Sequence, residues 1–459
     1  MDWKNLSELK KTMTFGGVAL AFALLAVVTA PRRITPKDFV EAGEAFFPEF
    51  KDPTIATSLE VVSFDEATAS AVPFKVVLKD GKWSIPSHYD YPADGKERLA
   101  KTAASVIDIK KDDVRSDNVS DHAGCGVIDP LDDKATSLQG RGTRVTLKAA
   151  SDNVLADFIV GKQVKDREGF RFVRVPGQKR VYAVRMNIDL STKFGDWIES
   201  DLLLVNKDDV EQIILKDYSV DERRGTLNQR DVVTLDKKDG KWTMNNTPGG
   251  RELDESKVTT FLTALDELSI VGVRTKPAGL TQSLEKSTYG LNQEDMLSLQ
   301  SKGYYFAQNG QLFSNEGEMQ ARTKEGVIYT LRFGEVAYGT GMTVSAGLED
   351  SSRTAQGPGE NRYLFISTAF DPKTLPPAPP QAKNTEFLNK PDSLFTAADR
   401  ANKEVQNKYD EWKKTYDKGD KASQDLNKRF AKWYYVISQA SFDKVHLARK
   451  DFLKEKTKT

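Results

Sequence analysis

The residues best equipped for chemistry are few. The chain carries one cysteine, Cys125, and three histidines, His88, His122 and His446. A lone thiol excludes an internal disulfide framework and a cysteine-only zinc site, and three scattered imidazoles leave little for a histidine-rich metal centre. His122 and Cys125 stand three residues apart in DHAGCG. At that spacing an imidazole could lower a thiol's pKa and prepare a nucleophile for hydrolysis. The segment IPSHYDYPAD groups His88, Tyr89, Asp90 and Tyr91. Rings of this kind stack on sugar faces and a carboxylate accepts hydroxyl hydrogen bonds, so this is the candidate ligand loop for a cell-wall or surface polysaccharide. The plainer alternative is a loop leading into a helix, with Pro92 in the turn and Asp94 as the N-cap. Asp90, Asp94 and Gly95 resemble a calcium loop only superficially, because Pro92 and Lys101 stand where two ligands belong. HExxH, GxxxxGK[ST] and GxSxG are absent, and Gly140-Arg141-Gly142 precedes a strand, the wrong order for a dinucleotide fingerprint. No catalytic constellation, cofactor or metal is expected, and the chain reads as a non-enzyme.

The elements that must position these residues are set by the rest of the chain. Its 459 residues amount to about three average domains. Lys+Arg and Asp+Glu are each 67, so the net charge is zero and a nucleic-acid partner is not indicated. With 29% charged and 39% hydrophobic residues the bulk is globular.

Self-similarity is the strongest signal. FKVVLKDGKWSI at Phe74–Ile85 and DVVTLDKKDGKWTM at Asp231–Met244 each read as an alternating strand, an Asp-Gly turn and a second strand opened by Lys-Trp. Helix patterns come after both, with Leu99, Ala103 and Val106 in one copy and Val258, Phe261, Leu262 and Leu265 in the other, and Asp94 and Asp254 where N-caps belong. Then CGVIDP pairs with YGLNQE, VLADFIVGK with VIYTLRFGE, and FRFVRV with RYLFIS. The position of Cys125 is taken by Tyr289 in the second copy, so the thiol reads as packing rather than a nucleophile. The first copy closes with VYAVRM and the helix-like STKFGDWIESDLL. In the second copy WYYVIS and ASFDKVHLARKDFL come only after a Pro-rich stretch and a charged segment, so residues 371–430 read as an insertion.

That insertion should be helical. Ala398, Val405, Tyr409, Trp412 and Tyr416 keep near-heptad spacing, and Gly419 reads as a turn between two helices or a weak point in one. Val405, Tyr409, Trp412 and Tyr416 are the candidate partner-binding arm, if the segment projects rather than packs on its own domain.

At the other end, Met13–Ala30 carries no charge over a span of about 27 Å. It reads as a retained transmembrane anchor, with a cleaved signal peptide ending at Val28-Thr29-Ala30 as the alternative. Lys4, Lys10 and Lys11 before it balance Arg32, Arg33 and Lys37 after it, so the charge rule gives no orientation. A single N-terminal anchor normally exports the chain on its C-terminal side, which places the short tail in the cytoplasm. Phe39, Phe46, Phe47 and Phe50 read as a short juxtamembrane helix packed on the first module.

The ordered blocks DGKWSIPSHYDYPAD, GVIDP, RVTLK, FIVGK, FRFVRVPGQKRVYAV and KFGDWIESDLL resemble the bacterial family DUF4340, and the second copy resembles it more weakly. The layout is similar to long, anchored members from planctomycete-type bacteria. The resemblance implies a membrane-tethered protein, some relatives of which accompany ABC-transporter components, including the gliding-motility type. It implies no catalytic residues.

The expected fold is therefore α+β: an N-terminal transmembrane helix, two related mixed or antiparallel sheet modules with helices, and an inserted helical hairpin or coiled-coil arm. The expected layout is a cytoplasmic tail (1–12), the anchor (13–30), a juxtamembrane segment (31–54), a first module (55–209), the first part of a second (210–370), the insertion (371–430) and a closing strand and helix (431–459). The expected function is an envelope interaction or scaffold protein, single-pass, with most of the chain outside the cytoplasm. Its partners would be the membrane, through residues 13–30, and proteins such as ABC-transporter subunits.

Overall fold

A computed structural model describes residues 8–29, 43–285, 290–307, 310–339, 341–347 and 360–456. The chain opens with helix α1 (Glu8–Thr29). Its large apolar side chains are open to the surroundings, Leu20 at 65% and Phe22 at 67% exposure. Among the described residues no helix is long and apolar enough to cross a membrane. The apolar run expected over 13–30 ends at Ala30, which lies outside the described residues, as do Lys4, Arg32, Arg33, Lys37, Phe39 and Tyr289.

The first sheet is made by β1 (Ser58–Asp65), β2 (Ser70–Lys79), β3 (Lys82–Ile85), β4 (Tyr91–Pro92), β5 (Asp113–Ser116), β6 (Thr143–Lys148), β7 (Val154–Gln163), β8 (Phe170–Arg174) and β9 (Val181–Arg185). Helix α2 (Lys96–Ile107) lies between β4 and β5, and the single turn α3 (His122–Cys125) between β5 and β6. The strands run in the order β4-β3-β2-β1-β6-β7-β8-β9-β5.

The second sheet comprises β10 (Val210–Asp221), β11 (Thr226–Lys238) and β12 (Lys241–Met244), then β14, β17, β18, β19 and β20. Between β12 and β14 (Gly272–Thr275) come β13 (Arg251–Leu253) and helix α4 (Glu255–Asp266). Helices α5 (Ala278–Glu285) and α6 (Gln293–Gln300) and the small hairpin β15 (Tyr304–Phe306) and β16 (Leu312–Ser314) precede β17 (Glu318–Thr323). Strand β18 (Val327–Tyr338), helix α7 (Gly341–Ala346) and β19 (Glu360–Phe370) come next. The insertion ends in helix α8 (Ala397–Ala431), and β20 (Trp433–Ser438), α9 (Gln439–Val445) and β21 (Leu453–Glu455) close the chain. The order is β12-β11-β10-β17-β18-β19-β20-β14, which repeats the first sheet position by position from β3 onward; β4 has no counterpart there, and β13 pairs instead with β21.

The repetition extends to residue level. Both Asp-Gly turns hold positive φ at both central positions, 52° and 74° at Asp80 and Gly81, 50° and 77° at Asp239 and Gly240. That geometry matches the right-handed twist of a two-residue hairpin. Strands β9 and β20 occupy one topological place, each bonded on one side to β8 or β19 and on the other to β5 or β14. The insertion therefore splits the second module between its last two sheet neighbours in sequence. Helices α2 and α4 bury the predicted faces, Leu99, Ala103 and Val106 in one and Val258, Phe261, Leu262 and Leu265 in the other.

Four local expectations are corrected. Residue Asp94 is not the cap of α2: Gly95 holds that place, because a Cβ there would sit 3.0 Å from Val76 and 3.7 Å from Trp197. The segment after β9 is only a 3-10 turn at Phe194–Trp197. Phe46 and Phe50 are buried against the first module, but the chain there is irregular and not a helix. Finally, the insertion is no helical hairpin: α8 is one 35-residue helix, about 52 Å long. Gly419 lies inside it as a contact point, where a Cβ would meet the Glu325 carbonyl oxygen at 2.0 Å. The Asn427 side chain bridges α8 to Thr368 of β19, accepting from its amide at 2.8 Å and donating to its carbonyl at 2.6 Å. Leu426 and Phe430 enter a core shared with both modules.

Candidate functional site

The loop at Pro86–Tyr91 joins the two modules. His88 is fully buried, its ring stacked on Phe194 at 4.5 Å and its Nδ1 2.9 Å from the Ser87 hydroxyl. Burial, reinforced by the Arg274 charge, pulls its pKa down to about 4, so the imidazole is neutral at ordinary pH. Tyr91 is buried edge-on against Trp433 of the second module at 4.9 Å. Tyr89 donates its hydroxyl to the Ala346 carbonyl at the end of α7, at 2.6 Å. Asp90 is exposed. The rings of His88 and Tyr91 are thus spent on protein contacts, whereas Tyr89 is 39% exposed and engaged through its hydroxyl; the loop's aromatic content, absent from the second copy, serves the seam between the modules.

The aromatic stripe of the insertion is also engaged within the chain. Val405, Tyr409, Trp412 and Tyr416 are half-buried. The Trp412 indole donates to the Pro376 carbonyl at 2.9 Å, and Tyr416 meets Phe370 edge-on at 4.8 Å. The Pro-rich stretch folds back along α8 as a strap, and the stripe is its bed.

His122 and Cys125 do not form a catalytic pair. The His122 Nε2 sits 2.8 Å from the Lys179 carbonyl oxygen, and Cys125 packs against a small cluster of Val127, Ile159 and Val181. Burial first, and then the Asp121 charge, pushes the thiol pKa up. The thiol is therefore less nucleophilic than a free one.

The most unusual ionisable group gave no sequence signal. Lys276 is 5% exposed, and its ammonium donates to the Phe430 carbonyl at 3.0 Å while lying 4.0 Å from the Phe365 ring. Burial drives its pKa well below the usual lysine range. In sequence it is one lysine among many in RTKPAG; in the fold it staples the end of α8 beside β14, where its own amide also donates to the Lys432 carbonyl.

Of the concavities among the described residues, two carry several apolar side chains. One is a groove of about 350 Å³ between α6, the β10–β11 hairpin tip and the β15–β16 hairpin, lined by Leu227, Met296, Tyr305, Phe306 and Phe313. Leu227 and Met296 are each 40% exposed there, and neighbouring Leu297 is 58% exposed. The other, of about 460 Å³, lies between the linker at Leu204–Asp209, strands β17 and β18, and α8. Neither could be read from sequence, because each is assembled from segments remote from one another along the chain. Among the described residues no group of His, Cys, Asp and Glu side chains could hold a metal ion.

Fold and site together define a protein of two repeated α+β sheet modules fused through a common core. Residues 83–294 match the family model described as Domain of unknown function (DUF4340), and the chain is a DUF4340 domain-containing protein. The match begins in β3 and ends in α6, so the family unit crosses from one sheet into the other. No curated protein and no solved structure matches the chain.

Proposed function

We propose that this is a non-enzymatic, membrane-anchored interaction or scaffold subunit of the cell envelope, accessory to an ABC-type transport or gliding-motility-like system. In this reading residues 13–30 span the membrane once and both modules lie outside the cytoplasm. The observation that carries it is α1, whose large apolar side chains Met13, Leu20, Phe22 and Leu24 are all at least 59% exposed. Such a surface needs an apolar environment. The seam supports the scaffold role, since modules joined by buried rings present partner surfaces at fixed geometry.

The partner surface best supported is the groove beside α6, where Leu227 and Met296 leave apolar area uncovered. A photo-crosslinking residue at Met296 should capture a protein partner in intact cells, and one at Tyr409 should not. Capture from Tyr409 alone would return the interface to the insertion. Capture from neither would remove the interaction reading.

A further inference from the structure

The cavity behind the linker has the makings of a binding site. Its walls are apolar: Leu204, Val205, Val327, Ala422 and Leu426, with the ring of Tyr329 among them. Tyr329 is 4% exposed, and its hydroxyl bonds to no other group among the described residues although the ring lines an open cavity. A hydroxyl that opens onto a cavity with no protein partner is free to bond a polar atom of a ligand. The ionisable groups lining the cavity are Asp209, Glu325, Asp425 and Arg429. Arg429 donates from one terminal nitrogen to the Asp201 carbonyl of the first module at 3.0 Å, and its Nε is buried with no partner among the described residues. Lys324 holds Asp209 and Lys418 holds Glu325, each at 2.5 Å. Asp425 is bound only loosely, 3.8 Å from Lys428. The rim thus offers carboxylate, with Asp425 the most available.

Two features set the second copy apart here. Counting register from the hairpins, Tyr329 faces Ala321 as Ala156 faces Leu147 in the first copy, so the phenol stands where the first copy has a methyl group. The wall opposite is α8, which the first copy lacks. That wall is fixed by Gly419 against the Glu325 carbonyl, by Thr368 donating to the Ser423 carbonyl at 2.8 Å, and by the Asn427 bridge. At the mouth, Leu204 is half exposed and held at a φ of 53°, a conformation bulky residues rarely adopt. The volume is within the range of small-molecule sites.

We infer that this cavity binds a small organic cation, an alkyl- or arylammonium whose apolar body lies on Val327, Ala422 and Leu426, whose charge faces Asp425, and one of whose N–H groups donates to the Tyr329 hydroxyl. On this view the insertion serves to wall a ligand site. It stands independently of the anchor and of the groove beside α6.

The test uses the full chain in detergent and three benzyl probes of different charge: benzylammonium, benzyl alcohol and phenylacetate. Ligand-detected NMR titration should show saturable binding of benzylammonium, about tenfold weaker binding of the alcohol, and none of phenylacetate. Asp425→Asn should weaken benzylammonium severalfold, and Tyr329→Phe should do the same while leaving the melting curve near that of the parent. Ala422→Phe, which fills the cavity, should abolish binding. Equal binding of phenylacetate and benzylammonium, no binding of any probe, or benzylammonium binding untouched by all three substitutions would each overturn the assignment.

Discussion

Replacing Gly419 with alanine separates two views of the insertion by sign. In a solvent-facing helix interior, glycine to alanine stabilises by about 1 kcal/mol, because alanine loses less backbone entropy on folding. A weak point or an exposed turn would show that gain. Here the added methyl would lie 2.0 Å from the Glu325 carbonyl oxygen and 2.8 Å from the Phe370 ring. The first obstacle is backbone, which cannot rotate away, so the cost belongs at the upper end of overpacking, about 3 kcal/mol. Subtracting the propensity gain leaves a net loss of about 2 kcal/mol. The displaced helix would also strain the bonds between Thr368, Ser423 and Asn427. Urea unfolding of the full chain measures the net effect, and hydrogen exchange of α8 amides localises it. Gly419→Ala should lower the unfolding midpoint and speed exchange along α8. A variant as stable as the parent, or more so, would refute the docking of this helix.

Three further outcomes are expected at the seam, the caps and the thiol. His88 titrates near pH 6.5 when unfolded and near 4 when folded, so its neutral form favours the fold and that stability drains as pH falls through this window. At about 1.4 kcal/mol per unit the loss reaches about 3 kcal/mol, and His88→Gln should flatten the stability profile between pH 6.5 and 4. Asp254 accepts from the Ser256 amide at 3.1 Å, whereas Asp94 caps nothing with its side chain; Asp254→Ala should cost about 1 kcal/mol in urea unfolding and Asp94→Ala much less. Cys125 should react with iodoacetamide at about pH 8 more slowly than an unstructured cysteine peptide, and equal or faster alkylation would reopen the nucleophile reading.

What the sequence made legible was whatever is local and periodic. The two Asp-Gly hairpins, the apolar faces of α2 and α4, and the placing of VYAVRM and WYYVIS in equivalent strands all rest on turn chemistry and alternation within short windows. The failures share a different cause. Gly419 looked like punctuation because the carbonyl it packs against belongs to Glu325, far away along the chain. His88 and Tyr91 looked like a ligand loop because their ring partners, Phe194 and Trp433, are equally remote. Trp412 looked like part of a free arm because the strap that covers it is irregular and carries no period. Tyr329 stood in a plain strand pattern, and only the cavity beside it gives its hydroxyl meaning.

The claim on which the functional reading rests is that α1 tethers a rigid pair of modules to a membrane. Alkaline carbonate extraction of cell membranes, combined with protease added to intact spheroplasts, tests it directly. The full chain should stay in the membrane pellet and its modules should be cut from outside, while a chain lacking residues 8–29 should be found free of the membrane. A full-length chain released by carbonate, or one shielded from external protease until the cells are lysed, would contradict that claim.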